Sequence, residues 1–230
     1  MPSSVLNKNI SKVRKRLSAA VDAAGRDQDS VTLIAVSKAK PVEAVRAVYK
    51  TGQRDFGENY VTEAVDKIIA CRSLDICWHF LGPLQSNKTK YIAAHFDWIH
   101  SVDRIKVARR LNEQRPDDLP PLKVCLQVNM PPESTKSGVT SETELLDLAL
   151  AVSQMDRFQL KGIMAIPAPV RDPMEQREQF GRIAKLLQKP GLPEELQDLS
   201  MGMSADMESA IAEGATMVRI GTDIFGARYT

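Results

Sequence analysis

A lysine follows the first strongly apolar segment of the chain, and its amine is the first group that could do chemistry. The segment reads VTLIAVSKAKP over residues 31–41, with Lys38 just after the apolar run. Burying an ammonium group is costly, so its place at the end of a buried strand requires an explanation. A lysine amine can form a Schiff base with an aldehyde when its surroundings favour the free amine. It can equally pack its stem on the rim of a fold and extend its charge to water, and the segment alone favours this second interpretation.

Two turns near the carboxyl end carry groups that bind anions. Ser204 precedes a helical segment, so its hydroxyl could cap that helix while the free N–H groups of the first turn face a phosphate. Gly221 and Thr222 follow the last strand-like segment, MVRI. Glycine lets the backbone approach a ligand closely, and threonine supplies a hydroxyl donor. Together these residues predict a phosphate site.

An arginine, Arg219, lies within the same apolar segment. A charged group in a buried strand needs a partner. One interpretation is an ion pair with a carboxylate on a neighbouring strand. The other is a hydrogen bond to a bound cofactor whose ring carries a pyridine nitrogen. The positive charge of the arginine would keep that nitrogen unprotonated and make the ring a weaker electron sink.

These groups can meet only if the fold brings the two ends of the chain together. Eight β-rich segments alternate with helical segments, and an additional helix is predicted at the start over Val5–Ala24. The strands are predicted at Val31–Ser37, Arg54–Phe56, Cys77–Leu81, Asp97–Ser101, Leu122–Val128, Leu160–Ile166, Asp198–Met201 and Met217–Ile220. The other helices are predicted at Pro41–Lys50, Asn59–Arg72, Gln85–Ala94, Arg104–Asn112, Ser141–Ser153, Pro173–Gln188 and Ser204–Ala212.

This alternation predicts an α/β protein with right-handed crossovers and a parallel sheet. Eight βα units match a single (β/α)8 TIM-type barrel over residues 1–230. A doubly wound open sheet is the alternative, but it usually needs fewer strands, and no glycine fingerprint follows the first one. In a closed barrel the first and eighth strands are neighbours, which would place Lys38 beside the phosphate site. A lysine beside a phosphate site is what pyridoxal 5′-phosphate requires.

The composition argues against several other classes of protein. A net charge of +2, with 26% charged residues, gives no bias towards nucleic acid or a membrane surface. No apolar run approaches the ~20 residues that span a bilayer, and no signal-peptide apolar region follows Met1. The three cysteines show no CxxC spacing, and the three histidines show no H-E-x-x-H spacing. We therefore expect a cytoplasmic protein without a metal site.

Several longer motifs are specific enough to indicate a family. They are AVSKAKP, FGENYVTEAVDKI, WHFLGPLQSNKTK, KSG, GIMAIPAP and LSMGMSADMESAIAEGATMVRIGTDIFGAR. They span nearly the whole chain, which resembles the pyridoxal phosphate homeostasis protein family. The resemblance implies a barrel similar to the N-terminal domain of alanine racemase, with pyridoxal 5′-phosphate held as a Schiff base on Lys38. It also implies a role in vitamin B6 homeostasis, as a carrier or regulator of the cofactor.

The resemblance assigns further site residues by their places in the motifs. It implies that the two carboxyl-terminal turns hold the phosphate and that the arginine lies near the pyridine nitrogen, while the asparagine of FGENY and the serine of LSMG lie near the cofactor with less defined roles. The cofactor-binding residues are thus predicted to be Lys38, Asn59, Ser200, Ser204, Arg219, Gly221 and Thr222.

The chain also departs from alanine racemase. Racemisation needs acid/base groups on both faces of the substrate carbon, and in that enzyme a tyrosine from a second domain of the partner subunit serves the face opposite the lysine. This sequence stops eight residues after Thr222, so we expect no second domain. We also cannot place a tyrosine opposite the lysine. We therefore expect a non-catalytic protein, with a weak cofactor-dependent amino-acid racemase activity as the alternative and a signalling module for protein partners as a third hypothesis.

Three expectations remain about neighbours and partners. His79 could line the barrel mouth or be a packed strand residue, and the second interpretation is preferred. Lys136 could be a second amine near the cofactor or an ordinary loop lysine. The predicted partners are pyridoxal 5′-phosphate and apo forms of enzymes that use it, and we expect the protein to be a monomer.

Overall fold

Eight short segments pair side by side as parallel strands in the computed structural model, which describes residues 2–227. The strands are β1 (Thr32–Val36), β2 (Asp55–Glu58), β3 (Cys77–Phe80), β4 (Trp98–Val102), β5 (Leu122–Val128), β6 (Phe158–Ala165), β7 (Asp198–Ser200) and β8 (Met217–Ile220). They follow one another in chain order, and β8 returns to β1 with Ile34 opposite Arg219. The predicted (β/α)8 barrel is confirmed.

Helices cover the outside of the barrel. They are α1 (Ser3–Ala23), α2 (Val42–Tyr49), α3 (Val61–Ala70), α4 (Thr89–His95), α5 (Ile105–Gln114), α6 (Glu142–Ser153), α7 (Pro173–Ala184), α8 (Met207–Ala212) and α9 (Thr222–Phe225). Two 3₁₀ turns, Gln28–Ser30 and Lys185–Gln188, complete the elements. The predicted extra helix at the start of the chain is α1, and α9 was not predicted. No helix within residues 2–227 has both the length and the apolar character to cross a membrane.

The core has an outer and an inner part. The larger cluster lies between strands and helices, and α1 contributes a stripe at helical spacing that includes Ile10, Val13 and Leu17. A smaller cluster, with Ile34 and Met164 among its members, forms separately from it. Fully or nearly fully buried polar side chains, those of His79, His100, Ser200 and Arg219, also belong to the barrel strands.

Three helices begin two or more residues later than predicted, because turns or extended residues precede them. The turn at residues 85–88, closed by Lys88 N–H donating to the Gln85 carbonyl at 2.9 Å, delays α4 until Thr89. Tyr60 has extended backbone and precedes α3, which leaves Asn59 outside the helix. A turn at residues 204–206 delays α8 until Met207.

Candidate functional site

A cavity of about 290 Å³ opens at the carboxyl ends of the barrel strands, where the predicted site residues were expected. It is lined by six of the seven predicted residues, Lys38, Asn59, Ser204, Arg219, Gly221 and Thr222. Apolar side chains complete the wall, among them those of Val36, Leu81, Met164 and Ile166. Closure of β8 onto β1 brings the lysine and the carboxyl-terminal turns together, at the end of the barrel where active sites of this architecture lie.

The backbone at the lysine is tightly specified. Ser37 N–H donates to the Gly57 carbonyl of β2 at 2.9 Å, which extends the sheet to the residue before Lys38. Ala39, the residue after it, has a φ of 57°, a left-handed conformation that is uncommon for a residue with a Cβ. Such a conformation persists only where the surrounding contacts hold it in place.

A buried ionic cluster supplies those contacts, and we call Glu58, Glu63 and Lys67 the clamp. Lys67 Nζ donates to Glu58 Oε1 at 2.7 Å, to Glu63 Oε1 at 2.5 Å and to the Ser37 carbonyl at 2.7 Å. Glu63 Oε1 also accepts from Ala39 N–H at 2.7 Å. The clamp therefore bonds the backbone on both sides of the predicted anchor lysine.

Two members of the clamp are almost completely removed from water, whereas the Glu63 side chain is 30% exposed. The Lys67 side chain is 5% exposed and that of Glu58 is 0% exposed. Burial raises the pKa of Glu58, although the Lys67 ammonium and the Ser37 hydroxyl act in the opposite direction. Sequence reasoning missed this cluster because its three members belong to β2 and α3 and converge on a loop after β1. The Glu63–Lys67 spacing of four residues was the available signal.

Arg219 is buried beside the cavity and is held by strand ends rather than by a carboxylate. Its Nη1 donates to the carbonyl and, at 2.9 Å, to the Oγ of Ser200, and its Nη2 donates to the Ala165 carbonyl at 2.9 Å. Burial lowers the pKa of Arg219 to about 10, with Asp206 acting in the opposite direction. The guanidinium therefore remains a cation at neutral pH and gives the cavity wall a fixed positive charge.

Ser200 is the one predicted site residue that does not line the cavity. It is fully buried, and its Oγ lies 2.9 Å from Arg219 Nη1 and 2.8 Å from His100 Nδ1. The structure places it behind the arginine, where it can orient the guanidinium but not touch a ligand in the cavity.

The predicted capping role of Ser204 is wrong, although its place in the cavity wall holds. Asp206 is the residue that precedes α8, and its carboxylate accepts from Met203 N–H at 2.6 Å, which stabilises the turn before the helix. This local bond competes with continuation of the helix towards Ser204. Ser204 therefore offers its hydroxyl and turn backbone to the cavity rather than a helix terminus.

Gly221 connects β8 to α9 at the second turn. A Cβ at this position would lie 3.3 Å from the Val36 carbonyl, closer than most such contacts. The missing side chain thus keeps the turn against β1 and leaves backbone facing the cavity. Thr222 is the first residue of α9, and its side chain is exposed at the same turn.

Arg16 ties both turns to the N-terminal helix. From α1 its guanidinium donates to the Ser204 carbonyl at 3.1 Å, to the Glu208 carboxylate at 2.8 and 3.0 Å and to Asp223 at 2.5 Å. Although burial opposes it, bonding to Arg16 lowers the pKa of Glu208. The turns after β7 and β8 are therefore held in fixed relation by one side chain.

Asn59 offers an unused acceptor. Its Oδ1 is buried at the cavity and has no hydrogen-bond partner. An unsatisfied buried acceptor is costly, and a ligand donor would relieve that cost. With an amine, a guanidinium, two hydroxyls and this carbonyl oxygen around one cavity, the residues present fit a small phosphorylated aldehyde.

The two residues of uncertain role have separate places. His79 is buried within the barrel, so the preferred interpretation as a packed strand residue is confirmed. Lys136 lines a neighbouring cavity of about 360 Å³ that shares Asn59, Leu81 and Ile166 with the first. Its Nζ donates to Glu133 at 2.6 Å and to the Ile166 carbonyl at 2.9 Å.

Comparisons with known proteins agree with the fold and the motifs. The sequence matches the alanine racemase N-terminal domain family over residues 7–229. The pyridoxal phosphate homeostasis protein of Pseudomonas aeruginosa is 54% identical, over 98% of this chain and 96% of that protein. The protein of the same name from Escherichia coli K12 is 50% identical, over 96% of this chain and 95% of that protein.

Solved structures show the same likeness. PipY of Synechococcus elongatus, determined with PLP bound, is 39% identical with a TM-score of 0.82 and covers 96% of this chain and 100% of its own. Alanine racemase from Oenococcus oeni is 18% identical with a TM-score of 0.71 and covers 99% of this chain but 63% of its own, a likeness of fold alone. This chain therefore belongs to the pyridoxal phosphate homeostasis protein family, which is built on the barrel of the alanine racemase N-terminal domain.

Proposed function

We propose that this chain binds pyridoxal 5′-phosphate in the 290 Å³ cavity, attached covalently through the Lys38 amine, and acts as a carrier or regulator of the cofactor. The observation that carries the proposal is the convergence of this amine with the two carboxyl-terminal turns in one cavity. The names of the relatives and the PLP-bound PipY structure support it.

Each lining group has a chemical role in this proposal. When bound, the cofactor supplies an aldehyde that reacts with amines and a ring that withdraws electrons. Ser204, Gly221 and Thr222 provide hydroxyl and backbone donors for the phosphate. Arg219 provides a cation beside the ring, where it disfavours protonation of the pyridine nitrogen because two positive charges repel. Asn59 accepts a hydrogen bond through its Oδ1 atom.

A role in supply rather than catalysis is supported by the chemistry of the cavity. Racemisation needs a second acid/base group across from the lysine. Within residues 2–227, no tyrosine side chain lines either cavity at the barrel mouth; Tyr229 lies outside the described residues. A ring that is a weak electron sink also favours storage over carbanion chemistry. Transfer to apo enzymes, a cytoplasmic location and a monomeric state remain predictions within this proposal.

Absorbance titration tests cofactor binding. Wild-type protein mixed with pyridoxal 5′-phosphate is expected to become yellow and to keep the colour through gel filtration. Lys38→Ala should lose it, and Lys40→Ala, two residues away, should keep it. Retention of the colour by Lys38→Ala and its loss from Lys40→Ala would contradict the assignment of the anchor.

Deuterium exchange at the α-carbon of a panel of amino acids distinguishes a carrier from an enzyme. The cofactor-loaded protein is expected to exchange far more slowly than a dedicated racemase measured alongside it. Exchange at a comparable rate would reject the carrier role and support the racemase alternative.

A further inference from the structure

A chain of hydrogen bonds runs through the barrel interior to Arg219. His79 Nε2 lies 3.1 Å from Asp55 Oδ1, and His79 Nδ1 lies 2.9 Å from His100 Nε2. His100 Nδ1 lies 2.8 Å from Ser200 Oγ, which accepts from Arg219 Nη1 at 2.9 Å. Because β4 and β7 are not adjacent in the barrel, the bond between His100 and Ser200 must cross its interior.

The chain of hydrogen bonds joins opposite ends of the barrel. Asp55 is the first residue of β2, and its side chain is 29% exposed at the amino end of the strands. Arg219 lines the cavity at the carboxyl end. The three links between them, His79, His100 and Ser200, are at most 1% exposed, so water does not compete for their hydrogen bonds.

The two ends determine where the protons are. An ionised carboxylate only accepts hydrogen bonds, so His79 must carry its proton on Nε2 to bond Asp55. In a neutral His79 ring, Nδ1 is then the acceptor and takes a hydrogen bond from His100 Nε2–H. The remaining nitrogen of His100 therefore accepts from the Ser200 hydroxyl, since a neutral imidazole has one donor and one acceptor.

The Arg219 end of the hydrogen-bond chain requires the same direction of donation. A guanidinium only donates, so Arg219 requires an acceptor at Ser200 Oγ. Burial, with the nearby Arg219 cation acting in the same direction, lowers the pKa of His100 well below its usual value. His100 is therefore neutral, and every donor points from the arginine towards the aspartate.

We propose that His79 and His100 are positioning residues for Arg219: with each imidazole protonated on Nε2, they fix the Ser200 hydroxyl in one orientation and thereby hold the guanidinium, under the control of Asp55 at the far end of the barrel. The consequence for a bound cofactor rests on the function proposed above. The hydrogen-bond chain itself rests on the distances between its members, their burial and their donor and acceptor valence.

A metal ion at the Asp55 end would produce the opposite proton arrangement. Asp55, Cys77 and His79 place three potential ligand atoms within 4.8 Å of one another. Coordination would use the lone pair of His79 Nε2 and move its proton to Nδ1, which would reverse both tautomers. In the structure His79 Nε2 lies 3.1 Å from Asp55 Oδ1, within hydrogen-bond distance. The tautomers of His79 and His100 therefore distinguish a hydrogen bond to Asp55 from a metal ion bound at Asp55.

Nitrogen NMR of cofactor-free, chelator-treated protein reads the tautomers directly, and the sequence contains only three histidines. His79 and His100 are each expected to carry a single proton, on Nε2. His95 is an internal control, because its Nδ1 lies 2.8 Å from the Tyr91 carbonyl and must be a donor. An Nδ1-protonated or doubly protonated ring at position 79 or 100 would overturn the proposal.

A pair of matched variants tests control from the far end. Asp55→Ala removes the terminal acceptor, and Asp198→Ala removes a carboxylate at the start of β7 that bonds Thr216 at 2.9 Å instead. Asp55→Ala should mix the two histidine tautomers and accelerate hydrogen exchange at the Arg219 guanidinium several-fold, while Asp198→Ala should leave both as in wild type. Identical tautomers and exchange rates in the two variants would reject the proposal.

Addition of pyridoxal 5′-phosphate extends the same comparison to the cavity. A shift in the absorption of the bound cofactor is expected in Asp55→Ala and not in Asp198→Ala. If wild-type protein bound no cofactor, the proposed function would fail, but the cofactor-free NMR measurements would still decide the role of the histidines.

Discussion

Lys67 Nζ donates a 2.7 Å hydrogen bond to the main-chain carbonyl of Ser37, the residue before Lys38. This bond joins the middle of α3 to the end of β1 from inside the protein. Through Glu63, the same ammonium group also acts on the residue after Lys38. The position of the predicted anchor amine is therefore set by a buried ionic cluster and not only by the strand that precedes it.

Replacing the lysine of the clamp should expose this dependence. Lys67→Met leaves Glu58 buried without its cation, and loss of one partner of a buried pair costs about 3–5 kcal/mol of unfolding free energy. Urea unfolding of Lys67→Met measures the cost, and Lys90→Met, at an exposed position on α4, is the control. The double variant Glu58→Gln/Lys67→Met should recover much of the loss. A single variant as stable as the control would contradict a buried ion pair.

Asn59 should show opposite effects on stability and on binding. Removing its unpaired Oδ1 relieves a desolvation cost of about 1–3 kcal/mol, so Asn59→Ala should be no less stable than wild type without cofactor. Its affinity for pyridoxal 5′-phosphate should fall, by about tenfold if one hydrogen bond worth ~1.4 kcal/mol is lost. Thermal unfolding and equilibrium dialysis measure the two effects.

Asn129 provides the contrast for that experiment. Its amide is fully used, since Nδ2 donates to the carbonyls of Glu133 and Lys136 and Oδ1 accepts from Glu133 N–H. Asn129→Ala should therefore lower stability by about 1–3 kcal/mol. Equal destabilisation by the two alanine substitutions would show that Asn59 is an ordinary structural residue.

Arg16 should matter more for binding than for folding. Its side chain is 40% exposed, and exposed ion pairs contribute only about 0–1 kcal/mol each. Arg16→Gln should consequently unfold close to wild type but release the turns after β7 and β8, which raises the dissociation rate of pyridoxal 5′-phosphate. Arg182→Gln, which breaks the exposed pair with Glu178 on α7, should leave that rate unchanged. An unchanged dissociation rate of pyridoxal 5′-phosphate in Arg16→Gln would show that Arg16 does not stabilise the phosphate site.

Acid should destabilise the protein through His100. Burial lowers its pKa in the folded state below the ordinary value of 6.5, so below that pH the unfolded chain binds a proton that the folded protein does not. The contribution of His100 is complete above pH 6.5 and is lost as the pH falls, by up to about 1.4 kcal/mol per pH unit. Urea unfolding across this range should show a shallower slope in His100→Gln than in His95→Gln. Equal slopes would mean that His100 takes up its proton without unfolding.

The sequence allowed the barrel and most of the cavity wall to be predicted because both depend on local pattern and strand order. Lys38 and Gly221 follow apolar strands, and residues at the carboxyl ends of barrel strands face one opening. Once the first and last strands were taken as neighbours, Lys38 and Gly221 were expected to lie close together. Asn59 and Ser200 were assigned only through the family motifs, since nothing in their spacing indicated a ligand.

The remaining features depend on register and on local turns. Which side chain of β4 meets which of β7 is a matter of barrel geometry, so the link from His100 to Ser200 was not predictable from spacing. The clamp and Arg16 act across loops that are distant in sequence. The start of α8 was misplaced because the Asp206 carboxylate stabilises a turn, a choice that the helical spacing of the segment does not reveal.

The most direct measurement is reduction of the cofactor-treated protein with borohydride, followed by proteolysis and mass mapping of the adduct. We expect one pyridoxyl phosphate group per chain, on the peptide that carries Lys38, and no adduct there when that residue is alanine. A stoichiometric adduct on another lysine of the wild-type protein, with Lys38 unmodified, would contradict the claim that this amine and the carboxyl-terminal turns form one binding site.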